Sequence, residues 1–205
     1  MSDFTLITGG ARSGKSTFAE KYAAHFGLPV IYIATAQIFD DEMAQRVKKH
    51  RQQRPEHWQV IEEPYAIRHT LENIQNKKAV VLLDCITLWL SNLLLNALKP
   101  STESSFSETL TSEAEDRILN EVQIVAQLAK EITPPVIMVT NEVGQGIVPE
   151  NPLARAYRDL AGKANQLLAH QADTLYWIVA GYPVEIKQSG QEILNSLESK
   201  GRASQ

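Results

Sequence analysis

One octapeptide limits what this chain can become more than any other feature of its 205 residues. Gly9-Gly10-Ala11-Arg12-Ser13-Gly14-Lys15-Ser16 has the spacing G-x-x-x-x-G-K-[ST], between an apolar, β-branched run at 4–8 and a helix-periodic stretch at 16–26. A loop in that setting wraps so that successive backbone N–H groups point inward, and the following helix adds the positive end of its dipole. Such a cradle suits the phosphates of a nucleoside triphosphate. Lys15 is expected to reach the β- and γ-phosphates, and the Ser16 hydroxyl to be a ligand of Mg²⁺. The plain alternative is a chance glycine-rich turn, which the strand-to-helix context argues against.

Apolar runs recur at 30–34, 80–84, 136–140 and 174–179, and helical periodicity fills 41–53, 113–132 and 153–169. Continuous apolar strands alternating with amphipathic helices predict a P-loop NTPase-type α/β fold, with a mainly parallel sheet covered on both faces. One domain is expected over 1–188, followed by a polar tail from about 189 that should fray. Residues 98–112, rich in Ser, Thr and Glu around Pro100, read as an exposed connection.

A net charge of −4 provides no broad basic field, which argues against a nucleic-acid partner. Cys85 is the only cysteine, so neither an intramolecular disulfide nor a Cys-based zinc site is expected. The first residues lack a basic n-region, and no apolar run approaches the roughly 20 residues that span a bilayer. The expectation is a cytoplasmic chain with no stable membrane insertion.

Asp84 closes the run 80–84, where a second acid would hold Mg²⁺ directly or through water. The competing reading is the N-cap of a helix beginning near Ile86, a role that can coexist with the first. Farther back, the stretch 40–55 opens with acids and ends with bases, matching a helix dipole at both ends. Arg46, His50 and Arg54 recur at intervals of four, which sets an imidazole between two guanidiniums on one helix face. Neighbouring positive charge favours the neutral ring, whose nitrogen can attack phosphorus, and the arginines suit a departing pyrophosphate. The competing reading is a solvated basic helix end with an incidental histidine.

Taken together, Ile7 and Thr8 with the octapeptide, Tyr32-Ile33-Ala34-Thr35-Ala36, the 40–55 helix with His50, and Asn141-Glu142-Val143-Gly144 continuing to Asn151 resemble one family. It is the bifunctional adenosylcobinamide kinase and adenosylcobinamide-phosphate guanylyltransferase, and the likeness spans nearly the whole chain in order. The resemblance implies phosphorylation of adenosylcobinamide by ATP or GTP, then transfer of GMP from GTP to adenosylcobinamide phosphate through a guanylylated histidine. It places His50 in that role, with Lys49 beside it leaving no second local histidine. It further implies a nucleotide site lined by the octapeptide, Ile33, Ala34, Thr35, Arg51, Gln52, Gln53, Arg54, Glu62 and Asp84. Recombinase-like strand order and a homotrimer are implied as well. Glu62 has its own rationale, since a carboxylate can accept from guanine N1–H and the exocyclic amine together; Glu63 competes with it.

Thr140, Asn141 and Glu142 follow an apolar run, where ligands of open α/β sheets bind. Glu142 is a candidate to orient or deprotonate the substrate hydroxyl. In the next helix Leu153, Tyr157, Leu160, Ala164 and Leu167 form the expected core stripe, with Arg155, Arg158, Gly162 and Asn165 off it. Arg158 is open to a phosphate, a neighbouring subunit or plain solvent. Two rivals remain, a simple P-loop small-molecule kinase and a nucleotide-dependent switch protein. GTP labelled at the α-phosphate should leave an acid-labile adduct on the wild-type chain and none on His50→Ala, whereas the simple kinase forms no such adduct; the switch protein is separated by mass spectrometry of products, since it leaves adenosylcobinamide unchanged.

Overall fold

The computed structural model describes residues 3–37, 41, 44, 45, 55–98 and 110–202. Strand β1 (Phe4–Gly9) leads through the glycine-rich loop to α1 (Lys15–His25) and β2 (Val30–Ala34). Then come β3 (Gln59–Glu62), α2 (Ile67–Ile74), β4 (Val80–Asp84), α3 (Ile86–Ala97) and α4 (Ser112–Glu131). The chain continues through β5 (Val136–Val139), α5 (Pro152–Gln171), β6 (Thr174–Val179), β7 (Tyr182–Glu185) and α6 (Lys187–Arg202).

The seven strands lie in the order β3-β2-β4-β5-β1-β6-β7. Every pairing is parallel except β6 with β7. This is the mainly parallel P-loop-type α/β sheet the alternation predicted. Strand β1 is buried at every position, as are all but the last residues of β2 and β4, because helices cover both faces. That double cover is why these strands read as unbroken apolar runs and not as alternating ones. Phe4, Leu6, Ile33 and Leu83 face a core built with Trp89, Val122 and Leu160. Ile7, Tyr32, Leu82 and Val139 face the opposite core, where α1 contributes Ala19 and Ala23. Phe18 and Tyr22 of α1 also pack edge-on against Tyr176 of β6, with ring centroids 5.2 and 5.6 Å away.

Helix boundaries follow local chemistry. Asn151 caps α5 by accepting from Ala154 N at 3.0 Å, and Pro152 occupies the first turn where no donor is needed. Thr111 caps α4 in the same way, with Glu113 and Glu115 in its first turn.

Four elements escaped the sequence reading. Strands β3 and β7 are sheet edges with largely exposed side chains, so they carry no apolar run to notice. Helix α2 buries Ile67, Thr70, Leu71 and Ile74, a clear helical spacing but over only eight residues. The polar stretch from about 189, expected to fray, is the helix α6, with Ile193, Leu194 and Leu197 turned to solvent. The helix expected over 41–53 and the connection at 98–112 fall largely outside the described residues; 41, 44 and 45 are helical.

Parallel strands bring their carboxyl ends to one edge, and buried polar side chains tie that edge together. Thr35 is fully buried; its hydroxyl donates to Cys85 O at 2.8 Å and accepts from Cys85 N at 3.0 Å. Asn92, also buried, donates through Nδ2 to Thr35 O at 2.8 Å and Pro64 O at 3.0 Å. Asn92→Leu would strand both carbonyls without their donor, so urea unfolding should show a loss of about 1–3 kcal/mol with an unchanged m-value.

Candidate active site at the carboxyl edge of the sheet

Strand β1 ends at Gly9, where the backbone has no room for a side chain. A Cβ there would lie 2.6 Å from the Ile178 carbonyl oxygen and 2.9 Å from Ser13 Oγ. At Gly14 the backbone is left-handed, with φ +97°, and a Cβ would meet Gly181 Cα at 3.1 Å. Glycine at both places therefore lets the loop turn tightly against β6 and the hairpin after it. Within the loop, Ser13 N donates to Gly10 O at 3.2 Å, and Phe18 N to Gly14 O at 3.0 Å as α1 begins. Ala11 and Arg12 are exposed, with Arg12 at φ +57°, while Ser13, Gly14 and Ser16 are half-buried.

The β6–β7 hairpin supports this loop from the side. Its two-residue turn, Ala180-Gly181, has positive φ at both positions, the geometry that suits the twist of a tight hairpin. Gly181 N donates to Ser13 O at 2.8 Å. An Ala-Gly pair is a weak hairpin signal, which is why the reading of the sequence stopped at β6.

Lys15 is buried and its Nζ donates to Gly10 O at 2.7 Å, so the ammonium arches over the loop. Burial pushes its pKa below the usual lysine value, while Cys85 and Asp84 pull the other way. Asp84 stands at the end of β4, one strand removed from β1 with β5 between. Its Oδ2 accepts from Tyr32 OH at 3.0 Å, and its other oxygen has no partner among the described residues. The capping alternative fails, since Cys85 occupies the N-cap of α3 and no side chain caps that end. Burial, reinforced by Asp84, pushes the Cys85 thiol up to about 11, which keeps it a neutral packing group.

At the end of β5, Glu142 is tied twice to the strand that carries the loop. Its N–H donates to Gly9 O at 3.1 Å, and its Oε1 accepts from Thr8 Oγ1 at 3.0 Å. The same oxygen accepts from Asn165 Nδ2 at 3.1 Å. Asn141 turns the other way, donating to Thr87 Oγ1 at 2.7 Å on α3.

The structure thus gathers Gly9, Gly10, Lys15, Ser16, Asp84 and Glu142 on one edge. Ile33 and Thr35 share that edge, but both are fully buried with their side chains committed to protein, and Ala34 between them is half-buried. Glu62 lies exposed at the end of β3, with β2, β4 and β5 between its strand and β1, roughly 19 Å at sheet spacing. Its rival Glu63 closes the turn into α2, accepting from Tyr65 N and Ala66 N, each at 2.9 Å. His50, Arg46, Arg51, Gln52, Gln53 and Arg54 lie outside the described residues.

On α5 the two arginines find backbone partners and one assignment, that of Asn165, changes. Arg158 donates to Gly144 O at 2.9 Å and Arg155 to Pro149 O and Glu150 O at 3.0 and 2.6 Å, so both guanidiniums brace the loop before α5. Asn165, expected off the core stripe, is buried with Ala161 and Leu168. Its spacing, four after Ala161 and three before Leu168, is the signal that could have found it.

An ammonium held largely out of water costs the ligand-free fold and suits a polyphosphate. Lys15→Met should therefore unfold at no lower temperature than wild type when ligand-free. The upward shift that GTP produces in the wild-type melting curve should vanish in this variant.

The profile of the family described as cobinamide kinase / cobinamide phosphate guanyltransferase matches residues 5–186. The chain is 43% identical over 182 residues to the bifunctional adenosylcobalamin biosynthesis protein CobU of Escherichia coli K12, covering 89% of this chain and 98% of that one. It is 41% identical over 182 residues to the bifunctional adenosylcobalamin biosynthesis protein CobP of Pseudomonas aeruginosa, covering 89% and 96%. Among solved structures, a RadB recombinase superimposes loosely, with a TM-score of 0.45 and 16% identity over 85% of this chain and 73% of that one. On the extent and level of the sequence matches, this chain belongs to the cobinamide kinase / cobinamide phosphate guanyltransferase family.

Proposed function

We propose that this chain phosphorylates the aminopropanol hydroxyl of adenosylcobinamide with ATP or GTP, and then transfers GMP from GTP to the new phosphate. The observation that carries the reading is the meeting of Lys15, Asp84 and Glu142 around one glycine-lined loop at the end of β1. In the first reaction the hydroxyl oxygen attacks the γ-phosphorus, the bond to the bridging oxygen breaks, and nucleoside diphosphate leaves. The hydroxyl proton passes to Glu142. Lys15 neutralises charge on the β- and γ-phosphates, and the loop's backbone N–H groups other than that of Ser13, which is spent on Gly10 O, hold their oxygens. The Ser13 hydroxyl, buried with no partner among the described residues, is a donor that a phosphate oxygen would satisfy.

Ser16 and Asp84 are the residues that would hold Mg²⁺. Their hydroxyl and carboxylate are hard oxygen donors, and no group of three or more His, Cys, Asp or Glu among the described residues could hold a metal alone. That donor set fits Mg²⁺, which takes few protein ligands and completes its shell with phosphate oxygens and water. Bound there, it would offset charge on the transferring phosphate.

In the second reaction a His50 ring nitrogen attacks the α-phosphorus of GTP and pyrophosphate departs, assisted by Arg46 and Arg54. A phosphate oxygen of adenosylcobinamide phosphate then attacks the guanylyl phosphorus, the phosphorus–nitrogen bond breaks, and adenosylcobinamide-GDP leaves the free imidazole behind. Glu62 reads the guanine edge, and Arg51, Gln52 and Gln53 complete that side. The homotrimer belongs to the same reading, and exposed apolar side chains such as Tyr182, Val184 and Ile193 offer it area to cover.

Mass spectrometry of products tests this directly. With GTP and adenosylcobinamide, His50→Ala should accumulate adenosylcobinamide phosphate without the GDP conjugate. Glu142→Gln should slow phosphorylation by roughly 10²- to 10⁴-fold. A conjugate formed at wild-type rate by His50→Ala would overturn the covalent route, and an unchanged corrinoid with wild-type protein would overturn the function.

A further inference from the structure

Among the described residues two buried polar side chains hold the Glu142 carboxylate, Thr8 on the loop's own strand and Asn165 from across the sheet edge. Asn165, on α5, is 8% exposed among apolar neighbours. Its Nδ2 donates to Asn141 O and to Glu142 Oε1, both at 3.1 Å, and its Oδ1 accepts from the buried Thr140 hydroxyl at 2.7 Å. Both amide hydrogens are used. Flipping the amide would set its oxygen against a carbonyl and a carboxylate, so the surroundings permit one orientation.

The consequence falls on Glu142. Asn165 from α5 and Thr8 from β1 converge on Oε1, leaving Oε2 with no partner among the described residues. The carboxylate is gripped by one oxygen and presents the other. We infer that Asn165 is a positioning residue for phosphoryl transfer, holding Glu142 so that Oε2 faces the substrate hydroxyl whose proton it takes. This rests on Glu142 serving as the base. Asn165 touches no reacting atom; it acts by limiting the rotations of a side chain that must be aligned when the hydroxyl attacks.

The test is a double-mutant cycle on the full chain, following phosphorylation of adenosylcobinamide by GTP under saturating and limiting substrate. Asn165→Leu should lower kcat by roughly 10- to 100-fold with little change in KM for GTP. Asn165→Asp keeps the shape and still accepts from Thr140 but gives Glu142 no donor, so it should lose kcat similarly. This second variant serves if Asn165→Leu fails to fold. In the Glu142→Gln background, adding either change should cost little more, because the group being positioned is already gone. Equal losses in both backgrounds, or wild-type kcat in a folded Asn165→Asp, would overturn the inference while leaving Glu142 as base. Full activity in Glu142→Gln alone would instead remove the base, and the positioning role with it.

Discussion

Strand β1 runs between β5 and β6 and is buried along its whole length, so the chain leaving it can turn only outward past the carboxyl edge. There it meets the backbone of β6. The Ile178 carbonyl stands where a Cβ on residue 9 would be, and Gly181 occupies the corresponding space beside residue 14. Close approach of two backbones is the constraint from which the rest of the site follows. It needs glycine at both points, and it allows the Gly181 N–H to hold the loop at Ser13 O.

Around that contact the polar groups fall into two sets with different duties. Thr35, Asn92 and Thr87 spend their hydrogen bonds on other protein atoms and stitch strand ends to helix starts. Lys15, Asp84, Ser13 and Glu142 keep something in reserve, whether an ammonium held in poor solvent or an oxygen or hydroxyl without a protein partner among the described residues. Unspent polar capacity at the mouth of a loop is what a charged substrate would complete. The first set makes the edge stiff enough for the second to stay aimed.

Much of this was legible in advance. Five strands announced themselves as continuous apolar runs, four of them (β1, β2, β4 and β5) because both faces are buried, and the octapeptide could be read because its chemistry is local. Glu142 was legible as a polar residue just past a strand. Asn165 was misread because its partners, Thr140 and Glu142, are more than twenty residues away in sequence and a helical stripe drawn from apolar residues alone passes it by. Strands β3 and β7 were missed because an edge strand half open to water has no composition of its own.

By itself the sequence determined the layered parallel architecture, the glycine-rich turn after the first strand and the family, since each depends on residue types at short, fixed spacings. Only the tertiary structure decided that Ala180-Gly181 supports the turn, that Glu142 is bonded to the strand leading into the glycine-rich loop, and that Glu62 stands on the far edge of the sheet. The physical reason is range. Periodicity and turn chemistry act over a few residues, whereas strand order and cross-sheet hydrogen bonds join groups that only the packing of the whole sheet brings together.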